Sequence, residues 1–324
     1  MGTLTTAEPA LRSAPVEDRA AQSAEVEIII NAAAGLEDKA ALRARLEKIF
    51  KARRLQARVC VAQSGAELVK LTRRVAEGPT QIVVAGGGDG TVNAVASVLV
   101  GTDKALGILP LGTLNHFAKD LRLPLDLEAA AETIISGHVR TVDVGDVNGR
   151  VFLNNSSLGL YPSIVRQRKK QQRQGYNKWL AAVWAALVVF KRYPFMSVRL
   201  NVDGQEFKRR TPFVFVSNNV YEMDGFQTGA RLRLDAGLLC LHVTHKTGRW
   251  RLVALGLRAL FGRLREAKDF DSLCAREVFV ETRRKRLRVA TDGEIDIIET
   301  PLHYRVRPCA LRVLVPEKAV TSAE

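Results

Sequence analysis

Ile82-Val83-Val84-Ala85-Gly86-Gly87-Gly88-Asp89-Gly90-Thr91-Val92 starts as a short apolar run and ends in a glycine corner, from which a helical pattern over Val92–Val100 departs. Short apolar runs of this kind suit strands buried on both faces. At the corner the glycines remove side chains where backbone must approach an anion closely. Thr91 is placed to cap the following helix, whose first N–H groups and dipole attract phosphate. Asp89 is out of keeping with a phosphate cradle unless Mg2+ is bridged between its carboxylate and the phosphates.

The same pattern recurs on either side. Downstream, Ala105–Leu109 is a strand leading through Pro110-Leu111-Gly112-Thr113 into a helix over Leu114–Leu121. Upstream, Val26–Ile30 is a strand, Asn31–Gly35 a small-residue turn, Leu36–Phe50 a helix, Gln56–Val61 a strand and Ala66–Ala76 a helix. This alternation predicts a three-layer α/β domain, a parallel sheet with helices on both faces. Both corners then sit at the carboxyl ends of strands, where ligands bind. A plain strand-to-helix turn accounts for one glycine corner, whereas two on nearby strands form one site. Neither is a Walker A loop nor a GxGxxG fingerprint.

Near Thr141 the pattern changes to short strands with two-residue turns. Thr141–Val147 and Val151–Ser156 flank Asn148-Gly149, and Ser197–Val202 and Gln205–Lys208 flank Asp203-Gly204, both hairpin signals. Phe213–Ser217, Leu238–Thr244, Glu277–Glu281 and Leu287–Ala290 are further strands. An antiparallel β-sandwich is expected, interrupted by helical stretches at Ile164–Phe190 and Trp250–Arg265. The domain expectation is therefore a disordered leader at 1–24, an α/β domain at 25–142 that 308–324 returns to complete, and a β-sandwich at 143–307. The active site is expected in the cleft between the two domains.

Composition narrows the partners. The 324 residues are 47% hydrophobic and 26% charged, which excludes a disordered or fibrous chain. Lys plus Arg is 49 against 34 Asp plus Glu, a net charge of 49 − 34 = +15. That excess favours an anionic partner: nucleotide, nucleic acid or acidic lipid surface. The four cysteines, Cys60, Cys240, Cys274 and Cys309, form no CxxC pair. They are read as buried small hydrophobes of a reducing compartment, against a disulfide framework or structural zinc. His242 and His245 point to opposite faces of a strand and make no metal pair. Trp179–Phe190 is the longest apolar stretch, short of the ~20 residues a spanning helix needs. The expected location is cytoplasmic with peripheral membrane association. Basic segments 166–192 and 249–265 suit transient docking on anionic lipid, although a core helix with a solvated charged face explains either equally well.

Gly87-Gly88-Asp89-Gly90-Thr91, followed after 22 residues (Gly88 to Pro110) by Pro110-Leu111-Gly112-Thr113-Leu114-Asn115-His116-Phe117-Ala118, resembles the diacylglycerol kinase catalytic domain. The chain is similar to the bacterial soluble lipid kinases of that superfamily. Asn31-Ala32-Ala33-Ala34-Gly35, Ser217-Asn218-Asn219 and Asp292-Gly293-Glu294 extend the resemblance from about Val26 to Val315. It implies ATP with Mg2+ as co-substrate and a lipid hydroxyl, first of all that of diacylglycerol, as acceptor, in phospholipid biosynthesis. The implied nucleotide contacts are Asn31, Gly35, Gly87, Gly88, Asp89, Gly90, Thr91, Asn93, Gly112, Thr113 and Asn115. Asp89 falls to the catalytic Mg2+, and Asp292 and Glu294 to the general base, with Glu294 preferred. A carboxylate there has an independent chemical reason, since in-line attack on the γ-phosphoryl group requires removal of the hydroxyl proton.

Two departures stand out. Relatives carry Asp-Asp-Gly-Leu-Leu around a structural Mg2+, but here Asp235 is followed by Ala236, leaving one carboxylate for that ion. His116 stands where relatives carry Asp. Two other readings compete, a small-molecule kinase related to NAD kinases and a basic nucleic-acid-binding protein. The first lacks an Asn-Glu-[Asp/His] element and the second any helix-turn-helix, RNP or zinc-finger signature. No nucleic-acid partner is expected, and a homodimer is left open.

Overall fold

The computed structural model describes residues 26–35, 37–159, 196–224, 227–231, 233–244 and 270–317. The leader, the expected helical stretches at Ile164–Phe190 and Trp250–Arg265 with their basic segments, and His245 lie outside the described residues.

Four parallel strands form one end of a mixed sheet: β1 (Val26–Asn31), β2 (Ala57–Ala62), β3 (Ile82–Gly87) and β4 (Ala105–Pro110), in the order β2-β1-β3-β4. They pair in register, with Ile28 opposite Val84 and Gly87 opposite Pro110. Helices α1 (Lys39–Ala52), α2 (Gly65–Ala76), α3 (Asp89–Leu99) and α4 (His116–Asp120) connect them and follow them. Side alternation divides the core. Ile28, Ile30, Val84 and Leu109 pack with Leu42, Leu46 and Phe50 of α1 on one face. Ile29, Ala85, Leu106 and Ile108 pack with Leu68, Val92, Val95 and Phe117 on the other. Side chains cap two of these helices at their N-termini: Asp38 accepts from Ala41 N at 2.9 Å, and Ser64 accepts from Glu67 N at 3.2 Å. A further helix, α5 (Leu127–Ser136), covers the α1 face and is absent from the sequence expectations. Its start is marked by Asp126, which accepts from Ala129 N at 3.0 Å.

The remaining described strands are antiparallel in their pairings with one exception. β5 (His138–Val147), β6 (Arg150–Phe152), β8 (Met196–Val202), β9 (Gln205–Thr211) and β15 (Glu277–Thr282) extend the first sheet. β18 (Leu302–Val315) is the exception and the pivot. It pairs in parallel with β4 (Arg312 with Ala105) and antiparallel with β5 and β15. A second sheet has the order β14-β13-β10-β7-β16-β17, from β14 (Phe270–Ala275), β13 (Leu239–Thr244), β10 (Phe213–Asn218), β7 (Asn155–Gly159), β16 (Arg286–Thr291) and β17 (Glu294–Glu299). Between the sheets, Val198, Leu200, Val278, Val280 and Tyr304 meet Val214, Val216, Leu239, Leu241 and Val289 in a dry core. A short hairpin joins β11 (Tyr221–Asp224) to β12 (Gln227–Arg231).

Two expectations need correction here. The strand expected over Val151–Ser156 is two strands, because the chain leaves the first sheet after Phe152 and enters the second at Asn155. Cys240 and Cys274 are joined as a disulfide, contrary to the reading of the four cysteines as unpaired: β13 and β14 set them directly opposite each other. Cys60 is half-buried and Cys309 exposed, so neither is the buried small hydrophobe expected.

Candidate active site

The two glycine corners touch. β3 and β4 are adjacent, so the loops at their carboxyl ends emerge side by side. A Cβ on Gly112 would fall well inside 3 Å of Gly88 Cα and 2.7 Å from Asn115 Oδ1. Backbone therefore meets backbone, and only glycine fits at Gly112. Asn115, left-handed at φ 49°, locks the second loop from inside: its Oδ1 accepts from Gly112 N at 3.1 Å and its Nδ2 donates to Gly112 O at 2.8 Å and Pro110 O at 3.2 Å.

The first corner is built from the helix side. Helix α3 begins at Asp89 with Gly88 as its N-cap, and no side chain caps it. This corrects the expectation for Thr91, which lies inside the first turn. Its Oγ1 instead accepts from Asn31 Nδ2 at 3.1 Å, and Asn31 Oδ1 accepts from Ala33 N at 3.0 Å, tying the turn after β1 to the corner after β3. The uncapped N-terminus of an 11-residue helix is a favourable place for an anion. Asp89, half-buried in that first turn, accepts through Oδ1 from Phe117 N at 3.3 Å.

Opposite the corner stands the β16–β17 hairpin. Asp292 (φ 47°) and Gly293 (φ 83°) form its two-residue turn, and Thr291 pairs with Glu294. The two acidic residues have different surroundings. Asp292 Oδ2 accepts from Leu153 N at 2.7 Å, and its Oδ1 from Asn154 N at 2.9 Å and Asn155 N at 3.0 Å. Burial pushes this carboxyl up to about 6, against the three N–H groups and Arg231, which pull it down. Glu294 is exposed and reaches across: its Oε1 lies 3.2 Å from where a Cβ on Gly90 would be.

A cavity of ≈ 850 Å³ collects most of these residues. Asn31, Gly35, Gly88, Gly90, Thr91, Gly112, Thr113 and Glu294 line it, along with residues of the first turns of α2, among them Gly65 and Leu68. Of the other expected contacts, Gly87 and Asn115 lie behind the wall. Asn93 is half-buried, its Oδ1 without a hydrogen-bond partner. His116 is exposed.

Metal fit differs between the two expected sites. Among the described residues no group of three or more His, Cys, Asp or Glu is placed to hold an ion. Asp89 is not among the residues lining the cavity and its Oδ1 is taken by Phe117 N, so it offers one carboxylate oxygen to a Mg2+ ion that would draw its other ligands from phosphate oxygens and water. Asp235 does not fit one. Its carboxylate is engaged by Arg140 at 3.1 Å and Arg233 at 3.1 Å, hydrogen bonds that hold its pKa below the ordinary value despite burial. With Ala236 next to it, Asp235 is an arginine-bound carboxylate, in line with the loss of the second acidic residue noted in the sequence.

A neighbouring network escaped the sequence reading. Arg231, at the end of β12, has a fully buried side chain. It donates to Asp120 Oδ2 (2.9 Å from Nε, 2.8 Å from Nη2), to Leu153 O at 2.6 Å, to Asn154 Oδ1 at 3.0 Å and to Asn218 O at 3.2 Å. Its guanidinium also faces the rings of Phe117 at 5.6 Å and Tyr221 at 5.5 Å. In sequence it reads as one more basic residue of a polar loop, because its partners lie up to 111 positions away.

Residues 25–147 match the diacylglycerol kinase catalytic domain, and residues 161–315 match the YegS C-terminal NAD kinase beta sandwich-like domain. A diacylglycerol kinase of Bacillus subtilis is 32% identical over 217 residues, 66% of this chain and 71% of the relative. One of Mycobacterium tuberculosis is 30% identical over 255 residues, covering 76% and 80%. The match to a diacylglycerol kinase of Staphylococcus carnosus, 28% identical over 187 residues, spans 57% of this chain and only 60% of that relative. Among solved structures, a putative diacylglycerol kinase from Bacillus anthracis has the same fold, with a TM-score of 0.70 at 23% identity over 91% of this chain and 98% of that one. With two family segments in sequence and relatives at this identity over most of their length, the chain belongs to the diacylglycerol kinase family.

Proposed function

We propose that this protein transfers the γ-phosphoryl group of ATP to a lipid hydroxyl, with diacylglycerol as acceptor and phosphatidic acid as product. One observation carries the reading: the two glycine corners and Glu294 line a single cavity, with the Glu294 carboxylate close beside Gly90. The corners and the α3 N-terminus would hold the phosphates, with Asn31, Gly35, Thr91 and Thr113 beside them. Asp89 would hold Mg2+, which would supply charge neutralisation. Glu294 would accept the proton of the attacking hydroxyl. Asp292 is the weaker base candidate, because its carboxylate is committed to three backbone N–H groups. In this reading the α/β part, 25–142 with 308–324, serves the nucleotide, and the β part, 143–307, brings the acceptor.

An NAD acceptor is the less fitting choice, since the segment that carries both glycine corners matches the diacylglycerol kinase catalytic domain and the NAD kinase likeness is that of the second segment's sandwich. No helix among the described residues is long and apolar enough to cross a membrane. A lipid acceptor would be met at a bilayer surface, and the +15 net charge favours an anionic one. The test is ³²P transfer from ATP to a lipid panel, run with NAD in parallel. Labelled phosphatidic acid supports the reading, and label in NAD alone, or in no lipid, refutes it.

A further inference from the structure

We infer that Arg231 is the positioning residue that fixes Glu294 against the glycine corner. This rests on the proposed role of Glu294. Arg231 is not among the residues lining the cavity, yet its single side chain ties together the two parts of the fold that meet there. On the α/β side it holds Asp120, the last residue of α4. That helix follows the locked 110–115 loop, and its Phe117 N donates to Asp89. On the β side it holds Leu153 O and Asn154 Oδ1, in the crossing where the chain passes from one sheet to the other. The N–H groups of Leu153 and Asn154 in turn donate to Asp292, two residues before Glu294 in a tight hairpin. The crossing is thus clamped by Arg231 through the Leu153 carbonyl and the Asn154 side chain, and by Asp292 through the backbone N–H groups.

The chemistry of the pair points to geometry rather than to stability. A buried Arg–Asp pair loses much of its hydration, and apolar groups of similar volume commonly do as well or better in such a place. What apolar groups lack is direction. The planar guanidinium has five donors fixed in one plane, and here they are spread over Asp120, Leu153, Asn154 and Asn218. Lysine, with one nitrogen, cannot reach all four. A shift of about 1 Å in a reacting group lowers turnover on the order of 10²-fold, so loosening this clamp should appear in kcat.

The test compares wild type with Arg231→Lys and Asp120→Asn, the second serving if the first does not fold. Three quantities are read: hydrogen exchange at the amides of 153–155 and 291–295, MgATP affinity by titration, and kcat for lipid phosphorylation per folded molecule. We expect faster exchange in both segments, MgATP affinity close to wild type and kcat lowered roughly 10²-fold. Arg231→Lys combined with Glu294→Gln should be no slower than Glu294→Gln alone. Variants that lose thermal stability while keeping wild-type kcat and wild-type exchange at 291–295 would reduce Arg231 to a structural plug and overturn the inference. Should wild type phosphorylate no lipid, the proposed reaction falls, and unchanged exchange at 291–295 still refutes the clamp on its own.

Discussion

Gly112→Ala is the sharpest probe of the touching corners. The new methyl group would stand 2.7 Å from Asn115 Oδ1 and 3.2 Å from Gly88 N, and closer still to Gly88 Cα. Ordinary carbon contacts lie at about 3.5–4.0 Å, so the two loops must part by roughly 1 Å. Neither neighbour is the far end of a flexible side chain. One is backbone, and the other is an amide held by three hydrogen bonds. Overpacking of this kind costs about 1–3 kcal/mol, and a 1 Å displacement of phosphate-holding groups costs on the order of 10² in rate. Gly88→Ala offers the matched comparison: its methyl group meets only Gly112 Cα, at 3.3 Å, and a shift of a few tenths of an ångström relieves it. Gly112→Ala should therefore lower the melting temperature by several degrees and weaken MgATP binding strongly, whereas Gly88→Ala, which leaves the contact nearly intact, should melt close to wild type. Calorimetric melting and nucleotide titration read both effects. An equal fall in melting temperature for the two variants, or a Gly112→Ala protein that melts and binds as wild type, would refute the contact as the basis of the site.

The other expectations are briefer. Glu294→Gln should lower kcat by about 10²–10⁴-fold with MgATP affinity retained, as removal of a general base does; steady-state kinetics with direct titration separate the two. Asp292→Asn turns an acceptor-only group into one whose NH2 faces backbone donors, and should cost roughly 3 kcal/mol by denaturant unfolding. The folded Asp292 carboxyl, at about 6, lies above its ordinary 3.8. Folding thus favours its protonated form, and the stability this lends is complete below about pH 4 and lost as pH rises through 6. Melting curves of wild type should show that fall and those of Asp292→Asn should not. Cys240→Ser with Cys274→Ser opens a link spanning 34 positions, worth about 3–4 kcal/mol by loop closure; a melting temperature indifferent to reductant would contradict it. EDTA should leave the melting of the nucleotide-free protein unchanged, because arginines rather than a metal hold Asp235.

What could be read from the chain beforehand followed from local signals. The strands β1 to β4 and both corners were legible because their apolar runs stop at turn residues (Asn31, Gln63-Ser64, Gly86 and Pro110), and the hairpins at Asn148-Gly149 and Asp203-Gly204 because positive φ is written in those residue pairs. Helix α5 had the same kind of signal in Asp126 but lay between two more conspicuous patterns. Thr91 was misread, and the use of Asp235 could not be fixed, for one reason: threonine after glycine and aspartate before Ala-Gly have several local uses, and the choice is made by Asn31, Arg140 and Arg233, which the fold brings from elsewhere. The Cys240–Cys274 link and the Arg231 clamp belong wholly to that class, since strand pairing and helix packing create them.

Strand β18 has a consequence for how the molecule is made. It fills the gap between β4 and β5, so during synthesis the ribosome must add 312 − 105 = 207 residues after Ala105 before that strand's partner, Arg312, exists. At about 5–20 residues per second that is roughly 10–40 s. Throughout that interval β4 presents a bare hydrogen-bonding edge. The nascent first third is thus an invitation to stray pairing, and a cell expressing this protein would be expected to shelter it with chaperones until the last strand arrives.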